Sequence, residues 1–207
     1  MTFLLDPYKF AAPVTYVIRA ETSDARIYSA NATYSTARAG SGLTVDAVSD
    51  TTSGLVGQQL SGGTYYCIEG FEAFDTSVIP DGATVLSALL SLTPSGDFSA
   101  TDFTVEARLH DWGATVDTSD WVAGADLGTK TLLASISSAD YNAGGMDLAS
   151  EAAFAANINK TGMTRILLCS SRHRGNNTPV GDEFLSFCMA DHATAASRPT
   201  LTVVAVG

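Results

Sequence analysis

Three histidines are the side chains from which catalysis in this chain would be built, and none lies in a recognisable catalytic pattern. His110 precedes Asp111, His192 follows Asp191, and His173 lies between two arginines. A Ser-His-Asp triad needs a serine on a strained turn, and the chain has no G-x-S-x-G sequence. The H-x-H, H-E-x-x-H and clustered Cys/His spacings of metal sites are also absent from the sequence. We therefore predict no catalytic residue, no metal and no cofactor, and a protein that is not an enzyme.

Two groups of carboxylates are the remaining candidates for chemistry. Asp182 and Glu183 are adjacent in a predicted strand, so their side chains point to opposite faces and cannot both flank a glycosidic bond. Four aspartates fall in one loop, where their oxygens could hold calcium: Asp111, Asp117, Asp120 and Asp126. Because they lack the spacing of a known calcium loop, we predict a solvated acidic loop instead.

Aromatic residues offer a binding surface rather than a reaction. Trp112, Trp121 and Tyr141 could form a platform on which sugar rings stack. We assign Trp112 to the surface, where a large exposed aromatic side chain is uncommon without a partner. Trp121 is assigned to the core because it matches the family resemblance described below. Trp112 and Tyr141 are accordingly the predicted glycan platform.

The one cationic cluster, Arg172-His173-Arg174, is predicted to form an exposed loop between two strands. One interpretation is a solvated loop paired with Asp182 and Glu183, which would add little stability. The other is a docking site for an acidic surface, such as another copy of this chain or a capsid subunit. Arginine is common among the residues that anchor interfaces.

The overall charge limits the choice of partner. The 207 residues carry a net charge of −11, which disfavours nucleic acid and anionic membrane surfaces. The three cysteines, an odd number without C-x-x-C spacing, are expected to be buried free thiols: Cys67, Cys169 and Cys188. Neither a signal peptide nor a membrane span is visible, so we expect assembly in the cytoplasm.

Period-2 patterning dominates the chain and predicts strands. The central stretch, residues 65–92, resembles a hairpin whose second strand turns Leu86, Ala88, Leu90 and Leu92 toward a core. Further strands are predicted at residues 14–18, 27–34, 43–48, 103–109, 131–136, 165–169, 184–189 and 200–206. Residues 53–63 and 94–101 are predicted loops, and residues 152–158 a short helix capped by Ser150. This pattern indicates an all-β protein with a single β-sandwich of jelly-roll type.

Residues 1–13 form a separate unit, the N-terminal arm, before a sandwich domain spanning residues 14–207. Two prolines interrupt the arm, so an extended state is expected. Its large apolar side chains should pack either on the same domain or on a neighbour: Phe3, Leu4, Leu5, Tyr8 and Phe10.

The order of motifs resembles the DNRLRE-type β-sandwich domain over most of the chain. The matching positions are Phe74-Asp75, Ile79-Pro80, Gly82-Ala83-Thr84, Ala88, Leu90-Ser91-Leu92, Trp121 and Arg198-Pro199-Thr200-Leu201-Thr202-Val203. The resemblance implies the sandwich fold. Domains of the type that the chain resembles are found in bacterial surface proteins and in polysaccharide-active enzymes. Some of these domains are similar to carbohydrate-binding modules.

The arm and the overall plan are similar to virion proteins of tailed bacteriophages, in which jelly-roll modules with terminal arms serve as capsid decoration proteins or as appendages. From this resemblance we expect a capsid decoration (cement) protein located in the virion. It would be a homotrimer that binds the major capsid protein or other virion subunits through its arm and edge strands. The alternative is a carbohydrate- or receptor-binding module, for example of a tail fibre.

Overall fold

Two antiparallel β-sheets face each other in the computed structural model, which describes residues 11–46, 54–141 and 145–207. The strands are β1 (Val14–Arg19), β2 (Ala25–Asn31), β3 (Leu43–Asp46), β4 (Gly54–Ser61), β5 (Thr64–Asp75), β6 (Thr84–Leu92), β7 (Pro94–Ser99), β8 (Thr104–Leu109), β9 (Leu132–Ser137), β10 (Met146–Asp147), β11 (Ala149–Ser150), β12 (Met163–Ser170), β13 (Asp182–Phe187) and β14 (Thr200–Val206). The helices are α1 (Tyr34–Arg38), α2 (Ala152–Ala156) and α3 (Ser171–Arg174). The predicted all-β, sandwich-like fold is confirmed.

The small sheet has four strands in the order β1-β14-β6-β10, and the large sheet has ten. Strand β5 is the centre of the large sheet because three strands pair with it. Strand β2 runs along one edge of β5, while β4 and then β12 share the other edge. The large sheet therefore splits at this point, with β4, β13 and β7 on one branch and β12, β8, β9 and β11 on the other.

Residues 65–92 do not form the predicted hairpin, since β5 belongs to the large sheet and β6 to the small one. The connection between them is anchored inside the protein. Ile79 is buried in the main core, and the backbone N–H of Thr76 donates to the carbonyl of Gly162 at 3.2 Å. Both strands still turn apolar side chains toward the same core, which is why the alternation was visible in the sequence.

A β-bulge displaces Leu86, which the sequence predicts to face the core. In the pairing of β14 with β6, Val204 lies opposite Ser87 but Ala205 lies opposite Val85, so Leu86 is the extra residue. Leu86 is consequently 51% exposed, and Val85 packs against the core in its place. The other predicted core residues of this strand are buried: Ala88, Leu90 and Leu92.

Side chains from both sheets form the main core, whose largest members include Phe74, Phe154, Phe187 and Leu90. A second apolar cluster lies on the opposite face of the large sheet, where Phe71 and Leu167 pack beneath Trp112 and Leu127. The long segment between β8 and β9 thus covers the outer face of the large sheet. No comparable cover is found over the outer face of the small sheet within the described ranges.

Several predicted boundaries change. Residues 53–63 and 94–101 were predicted as loops but contain β4 and β7, whose Gly, Ser, Gln and Pro residues are held by pairing with β5 and β13. Strand β2 ends at Asn31, and α1 begins at Tyr34.

Helix α2 confirms the predicted helix, but Glu151 occupies the N-cap position and the Ser150 hydroxyl donates to the carbonyl of Ala88. All three cysteines are buried free thiols, as predicted.

Candidate interaction surface

The predicted arm contacts lie outside the described residues: Phe3, Leu4, Leu5, Tyr8 and Phe10. The described part of the arm, residues 11–13, is exposed and has no regular secondary structure. It leads directly into β1, which is an edge strand of the small sheet. The arm is therefore attached at the edge of a sheet.

The basic segment Arg172-His173-Arg174 is not the exposed loop that the sequence predicts. It forms α3, a single helical turn whose N-cap, Ser170, accepts a hydrogen bond from the backbone N–H of Arg172 at 3.1 Å. The Arg172 guanidinium donates from Nε to Oε2 of Glu183 at 2.6 Å, and this carboxylate is buried. Asp182, on the opposite face of β13, is exposed. The predicted pairing with Glu183 is thus present.

Arg174 is also held by a buried carboxylate, that of Glu106. Arg174 donates to both Glu106 oxygens, and Arg108 donates twice to Oε2 from the same strand. Burial acts to raise the pKa of Glu106, but the hydrogen bonds from Arg174 and Arg108 outweigh it and hold the pKa below its ordinary value. Both arginines of α3 are therefore part of the fold and are poorly placed to dock an acidic partner.

His173 is fully buried between the sheet and the covering segment. Its Nδ1 lies 3.8 Å from Oε1 of Glu69, and its ring centroid is 5.4 Å from that of Trp121. Burial lowers the pKa of His173 to about 4 and raises the pKa of Glu69 well above its ordinary value. The imidazole of His173 is consequently neutral at pH 7, and both side chains are shielded from solvent, which does not suit a catalytic acid and base.

The predicted glycan platform does not form. Trp112 is buried, and its ring meets Phe71 edge-on with centroids 5.3 Å apart, so the surface position assigned to it is wrong. Tyr141 packs against the main core on the other side of the large sheet. Its hydroxyl accepts from the N–H of Gly96 at 2.6 Å and donates to the carbonyl of Ser186 at 2.7 Å. The two rings thus serve different clusters. Trp121 is partly buried, which fits the core position predicted for it.

A cleft of about 440 Å³ near the ends of β8 and β12 gathers His110, Asp111, Lys130 and Arg165. Asp111 is paired with Arg165 at 2.8 Å, and Nε2 of His110 contacts the carbonyl of Asp120 at 3.0 Å. The only hydroxyl lining the cleft belongs to Thr164, which is buried and bonded to Thr76. The cleft therefore lacks the contact between a nucleophile and a base that covalent catalysis requires.

The loop aspartates are engaged separately. Asp117 and Asp120 cap the same helical turn, and each accepts a backbone hydrogen bond. Within the described ranges, no three His, Cys, Asp or Glu side chains are grouped in a way that could hold a metal ion.

The outer face of the small sheet is the candidate interaction surface. Its side chains stand in register rows across β1, β14 and β6. One row is Thr15, Val204 and Ser87, and the next is Val17, Thr202 and Leu89. Neither row contains a charge, although the chain carries a net charge of −11. The third row continues onto β10 and ends in charges: Arg19, Thr200, Ser91 and Asp147.

The edge of the small sheet adds a second property to this surface. Strand β1 pairs along its length with β14, and its other edge has no partner strand in the described part of the chain. Natural edge strands are usually protected by charges, proline or a bulge. Only Arg19, the last residue of β1, is charged, and Val17 is 65% exposed. In the part of the chain that the structure describes, an unpaired strand edge and an uncharged face therefore lie side by side.

Sequence reasoning missed this face, although its alternation was visible. Residues 200–206 were predicted as a strand, and their outward residues are β-branched: Thr200, Thr202, Val204 and Val206. What the sequence could not show is that the outward residues of β1 and β6, which are also largely uncharged, lie beside them.

A scan against protein-family models and a search of curated proteins found no match for this chain. None of the helices in the described ranges is long and apolar enough to cross a bilayer.

Proposed function

We propose that this protein is a non-enzymatic structural protein of a tailed-bacteriophage virion that decorates and stabilises the capsid. Its partners are the major capsid protein or other virion subunits, and it acts as a homotrimer. Copies associate through the outer face and the outer edge of the small sheet, and the N-terminal arm docks the trimer on its virion partner. The sandwich then projects from the head lattice.

The observation that carries this proposal is the outer edge of β1, which has no partner strand among the described residues, beside two uncharged register rows. Residues such as Val17 and Leu89 can be buried against a partner without removing a charge from water. The free edge also offers backbone groups to which a strand of a neighbour can be added. A net charge of −11 makes most other contacts between copies repulsive, so an uncharged face favours association there.

The position of the arm also favours assembly at this surface, because residues 11–13 lead directly into β1. An apolar arm that leaves a sheet edge can reach a neighbouring subunit and bury its side chains there. The virion assignment itself rests on the resemblance of the arm and overall plan to phage decoration proteins. A closed symmetric homotrimer suits a threefold position on such a lattice.

Light scattering after size exclusion tests the assembly proposal on the full chain and on a chain that lacks residues 1–13. We expect a trimer for the full chain. If the shortened chain remains a trimer but no longer co-sediments with isolated phage heads, the sandwich holds the trimer together and the arm anchors it. If the shortened chain is a monomer, the arm is exchanged between protomers. A monomeric full chain that does not bind heads would contradict the proposal.

A carbohydrate-binding module is the second candidate function. The pair Trp112 and Tyr141 gives it no support, because Trp112 is buried and the two rings lie in different clusters. Its support comes from other aromatic residues on the large sheet.

A further inference from the structure

A single register row crosses five strands of the large sheet and carries three aromatic residues. Tyr28 of β2 lies opposite Ile68 of β5, which lies opposite Gly57 of β4. Gly57 in turn lies opposite Phe184 of β13, which lies opposite Phe98 of β7. We call these five residues the aromatic row. With strands about 4.8 Å apart, the row spans roughly 19 Å.

Each end of the aromatic row carries a pair of rings. Tyr28 contacts Tyr66, whose centroid is 6.3 Å away at an interplanar angle of 55°. Phe98 and Phe184 stack at 4.7 Å and 20°. Phe98 is 47% exposed, and the other three rings are half-buried. None of these rings is part of the main core between the sheets. They form an accessible surface rather than interior packing.

Gly57 keeps the middle of the row open. Its φ of 142° lies in the region that favours glycine. A Cβ atom at this position would lie 2.3 Å from the carbonyl oxygen of Glu183 and 2.6 Å from Cα of Phe184. The row therefore has a gap without a side chain between the tyrosine pair and the phenylalanine pair.

A groove of about 270 Å³ lies at the tyrosine end, lined by Arg26, Tyr28, Leu55, Gln59, Tyr66 and Ile68. Leu55 supplies apolar surface beside Ile68, which is buried. Among the described residues, neither tyrosine hydroxyl nor the Gln59 amide has a hydrogen-bond partner, so these groups remain available to a ligand. The charge of Arg26 is balanced by Asp46, to which its Nε donates at 3.1 Å.

We propose that the aromatic row and its groove bind a neutral oligosaccharide. A sugar ring has an apolar face that packs on aromatic rings and a rim of hydroxyl groups that need both donors and acceptors. The four rings offer a surface on which the apolar face can pack. The tyrosine hydroxyls and the Gln59 amide offer donors and acceptors to the hydroxyl groups. The paired charge of Arg26 favours an uncharged ligand, and the length of the row suits several linked sugar units. This inference is independent of the capsid proposal, because the row and the outer face of the small sheet lie on different sheets.

Affinity electrophoresis of the full chain tests this assignment, with gels that contain xylan, xyloglucan, mixed-linkage β-glucan or galactomannan. We expect at least one of these neutral polysaccharides to retard the protein. Calorimetric titration with the matching oligosaccharide should then show about tenfold weaker binding for Phe98→Ala and for Tyr66→Ala. Tyr66→Phe should weaken binding less, because it keeps the ring. Val180→Ala, a change at an exposed valine outside the row, is the matched control and should bind as the unmodified chain does.

Two results would overturn the assignment. One is the absence of retardation by all four polysaccharides, and the other is binding that both alanine variants leave unchanged. A concentration-dependent dimer that Phe98→Ala abolishes would likewise overturn it, since a second copy would then occupy the row. Far-ultraviolet circular dichroism of each variant separates loss of binding from loss of fold. The arm deletion tests the capsid proposal separately, so either proposal can fail alone.

Discussion

Glu106 and Arg174 lie 68 residues apart in the chain and are joined by three hydrogen bonds of 2.8 to 3.2 Å. Arg108 donates to the same carboxylate at 2.7 and 2.9 Å, so two guanidinium groups enclose one buried acid. This arrangement ties α3 to β8 where the large sheet splits. The most basic segment of the sequence is therefore a structural element, and its charges are satisfied within the protein.

Arg174→Gln is expected to lower the free energy of unfolding by about 2 kcal/mol, because Glu106 stays buried and loses one of its two guanidinium partners. The matched control is Arg165→Gln, which removes an arginine from Asp111, a carboxylate whose side chain is 77% exposed. The control substitution should lower the free energy of unfolding by less than about 1 kcal/mol. Urea unfolding of both variants gives the comparison, and equal losses would show that burial of the carboxylate does not matter.

Asp24 gives the protein an unusual pH dependence. Its side chain is buried close to Asp191 and Glu72, and burial followed by the charge of Asp191 raises its pKa from 3.8 to about 6. Burial, followed by the charge of Asp24, also raises the pKa of Glu72 well above its ordinary value. A raised pKa means that the folded state binds the proton more tightly than the unfolded state. The stability from Asp24 is therefore present below about pH 4 and is lost as the pH rises to about 6.

Asp24→Asn should accordingly raise the free energy of unfolding at pH 8 by up to about 3 kcal/mol and change it little at pH 4. The asparagine still offers an oxygen to the N–H of Ala190, which donates to Asp24 at 2.7 Å. Denaturant unfolding at the two pH values measures the difference between variant and parent. Asp182→Asn, which removes an exposed carboxyl group, is the control and should show no such difference. A benefit that is equal at both pH values would argue against titration of Asp24.

Trp112→Ala is expected to destabilise the fold by about 3 to 5 kcal/mol, because the indole fills the second cluster against Phe71. Phe98→Ala should cost much less, since that ring is 47% exposed. Thermal unfolding distinguishes the two. If Trp112→Ala folds with unchanged stability, Trp112 lies on the surface, as the sequence predicts.

Local patterning was enough to predict the strands with strict alternation, as β8 and β14 show. It failed where pairing rather than composition makes the strand. Gly54–Ser61 and Pro94–Ser99 are strands because β5 and β13 hold them in register. It also failed for α3 because Glu106 is far away in the sequence, so nothing nearby indicated that Arg174 would be neutralised. Trp112 was misplaced because its ring partner, Phe71, comes from the distant strand β5.

The same limit applies to the two candidate surfaces. The uncharged rows and the aromatic row each combine residues from three or more strands, and no single strand displays the pattern. Val17, Thr202 and Leu89 become neighbours only through the registers of β1, β14 and β6. Tyr28 and Phe98 join one row only through three intervening strands.

The oligomeric state of Val17→Asp tests the central claim most directly, with Val180→Asp as the control. Val17 is 65% exposed on the small sheet and Val180 is 84% exposed in the loop before β13, so the two variants add the same charge at exposed positions. By light scattering, we predict a trimer for the parent and for Val180→Asp, and a monomer for Val17→Asp. Val17→Lys should also be monomeric, because either sign of charge must be desolvated at the interface. A Val17→Asp variant that remains a trimer would contradict the assignment of the small sheet's outer face as the surface through which copies associate.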